Sequence, residues 1–398
     1  MGGTSVRLVR SRQETRAAVL SYIWRKGGCF RTEIAENVGL TEASVSRIVA
    51  ELRSEGILAE TRQTAEYQGG PSAILTLSNN HKVGAIEVSN NRVHVGIADL
   101  AGEMLFSERF DLKDGASAQS VTQALDQSVS ALAERASRTK SHLEYIGVSI
   151  PGYDPRTEIN PIIALPPASI LDRVRASFAE APVEIANSVV ARAIDQRLRL
   201  GVVDHRDDYL YVFVGHGVAA AVVNEHWGSG DVIACELGHM VVEAKGPRCR
   251  CGHSGCLEAY LSTSAIAPRL KIEEADLLAL GDTWPQRVPL GEKISADLMG
   301  RLRKLGMAIG NALNLIPARR VFLGGWPANL GAEGHAALTA GIDSSLLGGA
   351  SRVTLKFVQS ELGREPASAL SLATFAYLKC GAQPVAEEGR RSRIFATT

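Results

Sequence analysis

The segment Glu236-Leu237-Gly238-His239 is followed, ten residues after its histidine, by Cys249-Arg250-Cys251-Gly252-His253-Ser254-Gly255-Cys256-Leu257-Glu258. One imidazole and three thiolates form a closed Cys3His ligand set. Zinc accepts such a set tetrahedrally, because its filled d shell takes soft sulfur and imidazole nitrogen without a geometric preference of its own. Gly252 and Gly255 let the chain turn tightly between ligands. Three buried free cysteines beside a core histidine is the plainer alternative, but four candidate ligands fall within eighteen positions. The spacing predicts one structural Zn2+ per chain, held by His239, Cys249, Cys251 and Cys256.

Two carboxylates bracket this clip, Glu236 three residues before His239 and Glu258 two residues after Cys256. Closing a metal site there fixes both acids relative to the imidazole. Rigid charged acceptors can bind several sugar hydroxyls, and a histidine that ligates through one ring nitrogen keeps the other for a hydroxyl. Glu236, His239 and Glu258 are therefore expected to bind a sugar, against the simpler reading of two solvated surface glutamates.

The elements that must position these groups belong to an ordinary globular chain of 398 residues, 45% hydrophobic and 22% charged, long enough for two or three domains. Lys plus Arg equals Asp plus Glu at 43 each, so any contact with nucleic acid must come from a local patch. The polar, basic start has no apolar core of signal-peptide length, and nowhere do eighteen apolar residues run together, which points to a cytoplasmic protein with no membrane partner. Cys29, Cys235 and Cys380 are scattered, as in a reducing compartment.

Residues 13–26 place Ala17, Leu20, Ile23 and Trp24 at helical spacing, and a second helix is expected from an N-cap near Thr32 to Gly39. A third, capped by Thr41, turns Val45, Ile48, Val49 and Leu52 inward and leaves Ala43, Ser44, Ser46 and Arg47 outward. Two short helices around a glycine turn, the second small and polar toward solvent, follow the helix-turn-helix plan, in which short side chains let a helix enter the major groove. Thr41, Ser44, Ser46 and Arg47 are the candidate DNA-binding residues, Arg47 as a phosphate contact. Strands at 57–60 and 73–77 would add a wing. Segment 1–80 carries ten Lys or Arg against eight Asp or Glu, a modest net of plus two. A trihelical protein-interaction module shares these periodicities.

From Lys82 strands dominate: 82–88, 92–100 and 103–110, then a helix with Val121, Leu125, Val129 and Leu132 on one face, then a strand at 145–150. This is an α/β lobe. Strands at 209–215 and 218–224, the clip, a long helix bearing Leu302, Leu305, Ile309, Leu313 and Ile316, and a strand at 320–325 make a second. Residues 386–398 lack apolar period and read as a tail.

Glu-x-Gly-His followed by Cys-x-Cys-Gly-x-x-Gly-Cys-x-Glu resembles the signature of the ROK family, which groups bacterial sugar kinases with sugar-responsive transcriptional repressors. Both segments match at every defined position. The resemblance implies an N-terminal winged helix-turn-helix over residues 1–80 and, over 81–398, a two-lobed actin-like ATPase (ribonuclease H-like) body: lobe one at about 81–190 plus a C-terminal helix near 370–385, lobe two at about 191–369. Segment 1–80 also resembles the winged head of ROK repressors, except that the family's Gly-Arg-Pro wing is Gly69-Gly70-Pro71 here, which removes a cation that seeks the minor groove.

A ROK kinase needs two phosphate-facing glycine turns and a carboxylate base. The family's Asp-x-Gly-Gly-Thr is Glu87-Val88-Ser89-Asn90-Asn91, and its Gly-Thr-Gly-Val-Gly-Ala-Gly is Gly215-His216-Gly217-Val218-Ala219-Ala220-Ala221. Its Asn-Asp pair is Asn187-Ser188, and a serine hydroxyl has no useful basicity at neutral pH. Asn187 still has an amide to offer a sugar hydroxyl. The loop from Asn160 to Ser169 departs from the Pro-Asn-Leu of the family's sugar kinases.

The expectation is a non-enzymatic ROK regulator, a repressor that binds a double-stranded operator and a sugar or sugar derivative held by Asn187, Glu236, His239 and Glu258. The resemblance implies a homodimer or higher homo-oligomer. The alternatives are a ROK sugar kinase with a vestigial head, and a regulator governed by a protein partner.

Overall fold

The computed structural model describes residues 11–62, 73–112, 117–154, 158–160, 162–199, 208–224, 231–359 and 366–383; Gly69-Gly70-Pro71 and the tail at 386–398 lie outside them. The chain forms two compact units, residues 1–203 with 364–398, and residues 204–363.

The first unit opens with α1 (Arg12–Lys26), α2 (Arg31–Val38) and α3 (Glu42–Ser54). Ser11 and Glu14 close a capping box at the start of α1, each accepting the other's backbone N–H. At α2 the cap differs from the expected Thr32: the Glu33 carboxylate accepts from Phe30 N at 2.8 Å, so the boundary residue is Phe30. Gly39 ends that helix at φ 73°, the left-handed conformation that favours glycine. Thr41 caps α3, and Val45, Ile48, Val49 and Leu52 are buried as their spacing predicts. Strands β1 (Leu58–Arg62) and β2 (Ala73–Leu77) pair antiparallel with Leu58 opposite Leu77.

The unit continues as β3 (Lys82–Val88), β4 (Arg92–Asp99), β5 (Met104–Asp111), α4 (Ala118–Arg138), β6 (Leu143–Ile150), α5 (Pro167–Ser177), β7 (Val183–Asn187) and α6 (Ser188–Arg199). The sheet order is β5-β4-β3-β6-β7, with an antiparallel meander first and β6 and β7 parallel to β3. Val121, Leu125, Val129 and Leu132 of α4 pack into the sheet's core.

The C-terminal helix, Ala367–Lys379, packs on β3, β6 and α6. A Cβ at Gly147 of β6 would fall 2.1 Å from Ala369 O, so helix and strand touch backbone to backbone. Ser371 Oγ donates to Asp195 Oδ1 at 2.8 Å, which ties α6 to the C-terminal helix, and both fall in the first unit.

The second unit holds β8 (Tyr209–Val214), β9 (Val218–Asn224), β10 (Asp231–Cys235), α7 (Glu258–Leu261), α8 (Thr263–Leu270), α9 (Glu274–Leu280), α10 (Trp284–Arg287), α11 (Glu292–Leu313), β11 (Arg320–Gly325), α12 (Gly331–Asp343) and β12 (Thr354–Val358); the C-terminal helix is then α13. Its sheet order, β10-β9-β8-β11-β12, repeats the first unit's plan of an antiparallel meander followed by two parallel strands. Ile316 lies beyond the end of α11. Cβ atoms at Gly306 and Gly341 would each meet backbone oxygen of the opposing helix, at 2.1 and 2.2 Å, so glycine sets the close approach of α11 and α12. No described helix is long and apolar enough to cross a membrane.

Candidate functional site

Strand β10 delivers Glu236 into a 3-10 turn, Leu237–His239, pressed so closely on β9 that a Cβ at Gly238 would lie 2.2 Å from Val218 O. The loop that follows is laced by backbone bonds: Val242 N to Gly255 O, Gly255 N to Pro247 O, Cys249 N to His253 O and Leu257 N to Met240 O, all at 2.8–2.9 Å. Gly255 sits at φ 76°, and a Cβ there would fall 1.7 Å from Glu243 O. The loop thus brings His239, Cys249, Cys251 and Cys256 together, with one ligand atom from each lying within 4.8 Å of the others.

The fit to a tetrahedral ion can be tested on the edges. Zinc–sulfur bonds of about 2.3 Å imply sulfur–sulfur edges of about 3.8 Å. Cys251 Sγ and Cys256 Sγ are 3.6 Å apart, and Cys249 Sγ lies 3.7 Å from His239 Nδ1. That places Nδ1 on the metal side, while Nε2 faces Glu236 Oε2 at 4.0 Å. The four residues form a cluster that can hold a metal ion.

Their thiols differ. Backbone and ring hydrogen bonding from His253 holds Cys251, which is exposed, down to about 6, whereas burial pushes Cys256 up to about 12 and raises Cys249. In metal-free protein at pH 7 iodoacetamide should therefore alkylate Cys251 first, with the rate falling as pH drops through about 6. Added zinc should suppress that labelling, and peptide mass spectrometry reads both effects. Equal labelling of all three cysteines, unaffected by zinc, would contradict the cluster.

A clasp that sequence reasoning missed holds this loop from outside. Tyr260 Oη donates to Glu243 Oε2 at 2.6 Å, Lys304 Nζ reaches the same oxygen at 2.9 Å, and Arg301 donates to Tyr260 O. Its only signal was a tyrosine two residues after Glu258.

Glu258 opens α7 half-buried, its Oε2 accepting from Val218 N at 3.0 Å. A Cβ at Gly217 would stand 2.7 Å from that oxygen, so the surviving glycine of the β8–β9 turn accommodates the acid. Glu236 is exposed, its side chain 81% accessible. In the first unit, Asn187 ends β7 with its amide partly committed: Nδ2 donates to Tyr153 O at 3.3 Å and Oδ1 accepts from Val189 N at 3.2 Å. One N–H and one lone pair remain for a ligand. Ser188 opens α6.

The β3–β4 turn is filled by side chains. Ser89 Oγ bonds Asn91 Oδ1 at 2.9 Å and Arg92 O at 3.0 Å, while Glu87 accepts from Ser368 and lies 3.7 Å from Arg192. In the β8–β9 turn, burial lowers the His216 pKa, with Arg250 reinforcing it.

On the head, Ser46 and Arg47 are exposed on α3. Thr41 and Ser44 are instead bonded to each other as the cap: Ser44 N donates to Thr41 Oγ1 at 3.2 Å, and that hydroxyl donates to Ser44 Oγ at 2.9 Å. Glu60 of β1 pairs with both Arg31 and Arg53, joining α2 and α3 to the hairpin, a bridge without a local sequence signal.

Residues 83–370 match the ROK family and residues 12–59 match a winged helix-turn-helix DNA-binding family. The chain is 25% identical over 319 residues to the xylose repressor of Caldicellulosiruptor bescii, covering 74% of this chain and 78% of the relative. It is 26% identical over 338 residues to the DNA-binding transcriptional dual regulator NagC of Escherichia coli K12, covering 79% and 80%. Among solved structures, a ROK family transcriptional regulator described as a homologue of the E. coli MLC protein superposes with a TM-score of 0.71 at 21% identity, over 93% of this chain and 97% of the other. The ROK hexokinase of Thermus thermophilus superposes with a TM-score of 0.58 at 22% identity, over 76% and 100%, which shares the fold.

Proposed function

The chain belongs to the ROK family, and from that premise we propose that it is a sequence-specific DNA-binding transcriptional regulator of carbohydrate-metabolism genes, acting as a repressor under the control of a sugar or sugar derivative. The observation that carries this is the joining, in one chain, of a winged helix-turn-helix at 12–59 to a ROK body at 83–370. Relatives with the same span are named for xylose and N-acetylglucosamine repression, which supports a sugar as effector. In our assignment the head is residues 1–80 and the body 81–398, and the protein works in the cytoplasm as a homodimer, which suits a palindromic operator.

We assign one structural zinc to His239, Cys249, Cys251 and Cys256. When bound, it supplies a rigid fourfold crosslink and no reactive group. Around that crosslink Glu236, Glu258 and the free Nε2 of His239 accept and donate to hydroxyls in the second unit, and Asn187 supplies the amide in the first. Val218 N fixes one carboxylate oxygen of Glu258 and leaves the other to a ligand. We assign no kinase activity. Ser188 offers no base, and Glu87 is already engaged by Ser368 and Arg192.

The experiment is selection of duplexes from a random pool by the full-length protein, followed by affinity measurements on variants. Arg47→Ala should weaken binding to all sequences and lower the salt-dependence slope by about one. Ser46→Ala should change which bases are preferred. A protein that selects no duplex even at low salt would end this reading.

A further inference from the structure

Arg16 of α1 is completely buried, an unusual place for a guanidinium on a helix whose other face meets solvent. Its Nε donates to Gly381 O at 3.0 Å, across 365 positions of sequence, while Nη1 and Nη2 hold the Glu55 carboxylate bidentately at 2.9 and 2.5 Å. Glu55 is the C-cap residue of α3, the helix that presents Ser46 and Arg47. One side chain therefore grips both the end of the recognition helix and the chain just beyond α13.

The grip on the α13 side is fixed from several directions. Gly381 lies at φ 69° with its Cβ position 3.1 Å from Gln13 O, Gln13 Nε2 donates to Cys380 O at 3.1 Å, and the Trp24 and Phe375 rings are 6.2 Å apart. Toward the body, α13 is tied to α6 by Ser371 and Asp195 and by Arg197 over the Phe375 ring, and to β3 by Ser368 and Glu87. Helix α6 starts at Ser188, directly after Asn187. A second link reaches the same cap: His81 Nε2 meets Glu55 O at 3.0 Å and Nδ1 meets Glu144 Oε1 of β6 at 2.8 Å.

The Arg16 guanidinium is buried while the Glu55 side chain is 42% exposed; such a pair is a poor source of net stability, since desolvation of the arginine offsets an attraction that solvent screens, but the planar fork sets geometry stringently. We propose that Arg16 is a positioning residue that couples α13 to the recognition helix through Glu55, so that a shift of α6 and α13 caused by ligand at the Asn187 end alters the setting of α3 for DNA. This rests on the sugar-responsive reading above. A role confined to holding the head together would leave the Gly381 carbonyl without influence on α3.

The test needs neither operator nor effector in its first arm. Hydrogen exchange of residues 42–54 is measured in the full-length protein, in Gly381→Ala, in Arg16→Lys and in the double variant. Alanine is strained at a positive φ, so Gly381→Ala displaces the carbonyl that Arg16 grips; Gly381→Asn, which tolerates that region better, serves if the alanine variant does not fold. Gly381→Ala is expected to raise exchange in α3 by about tenfold, and to add nothing once Arg16 is lysine. Exchange in α3 that ignores Gly381→Ala, or rises equally with lysine at 16, would overturn the coupling. In the second arm, both single variants should weaken binding to the selected duplex while zinc content stays at the unmodified level. If the unmodified protein binds no duplex, the regulator reading has failed, and the exchange arm still decides the joint.

Discussion

Replacing Cys256 with alanine is expected to reduce copurifying zinc from about one per chain to nearly none and to lower the melting temperature by about 5–10 °C. The reasoning is local. Cys256 is wholly buried, and without a metal its thiol stays protonated, since burial pushes it up to about 12. A metal is what draws out that proton, because thiolate is the ligand and binding releases the proton. Three remaining ligands leave an open coordination position of the kind found in labile or catalytic sites. The backbone lacing of the loop and the clasp of Tyr260, Glu243 and Lys304 should keep the segment folded, so the loss is a looser site and not an unfolded unit. Glu258, two residues on, keeps its bond from Val218 N but loses the support of the crosslink, and sugar affinity should fall with it. Elemental analysis and a thermal scan check both parts. Unmodified protein that carries no zinc, and melts at the same temperature as Cys256→Ala, would remove the metal from the account.

No sugar-dependent ATP hydrolysis is expected from the unmodified protein, nor measurable ATP affinity, and Ser188→Asp alone should not create either. Loss of a general base costs roughly 10² to 10⁴ in rate. Restoring it would leave Ser89 and Asn91 bonded to each other across the β3–β4 turn and Glu87 held by Ser368 and Arg192, the contacts to which we assign the lack of phosphate binding. Backbone amides cannot approach phosphate where side chains stand. A coupled assay with ATP and a panel of monosaccharides, including xylose and N-acetylglucosamine, is the check. Robust turnover would make the protein a kinase and its head a vestige.

Local patterns carried much of this structure in advance. The ligand spacing of the clip, the Thr41 cap with the Val45, Ile48, Val49 and Leu52 stripe, and the strand runs of β3, β4 and β6 all depend on residues near in sequence, and the structure has them where expected. Groups whose partners are distant were invisible. Arg16 falls on the apolar stripe of α1, four residues before Leu20, and periodicity alone gives no reason for a charge there; its partner carbonyl is at Gly381. Glu60 joins Arg31 and Arg53 from three different elements, and Tyr260 reaches back to Glu243. Thr32 misled because an N-cap type is a propensity, and the Glu33 side chain decided the boundary by bonding Phe30 N. Asn187 ends β7 directly before α6, and part of its amide serves that helix as a cap, a use its residue type alone did not reveal.

The claim that a sugar held at Glu258 governs a DNA-binding head is tested most directly by titrating the sugar that gives the largest thermal shift into the complex of full-length protein with its selected duplex, for the unmodified protein and for Glu258→Ala. Ligand bound to one state shifts the equilibrium by its differential affinity, so the unmodified protein should change its duplex affinity by about 5- to 150-fold across the titration. Glu258→Ala should bind the duplex with unmodified affinity and show no change with sugar. A duplex affinity that is insensitive to every sugar in the unmodified protein, or a Glu258→Ala variant that responds as fully as the parent, would contradict it.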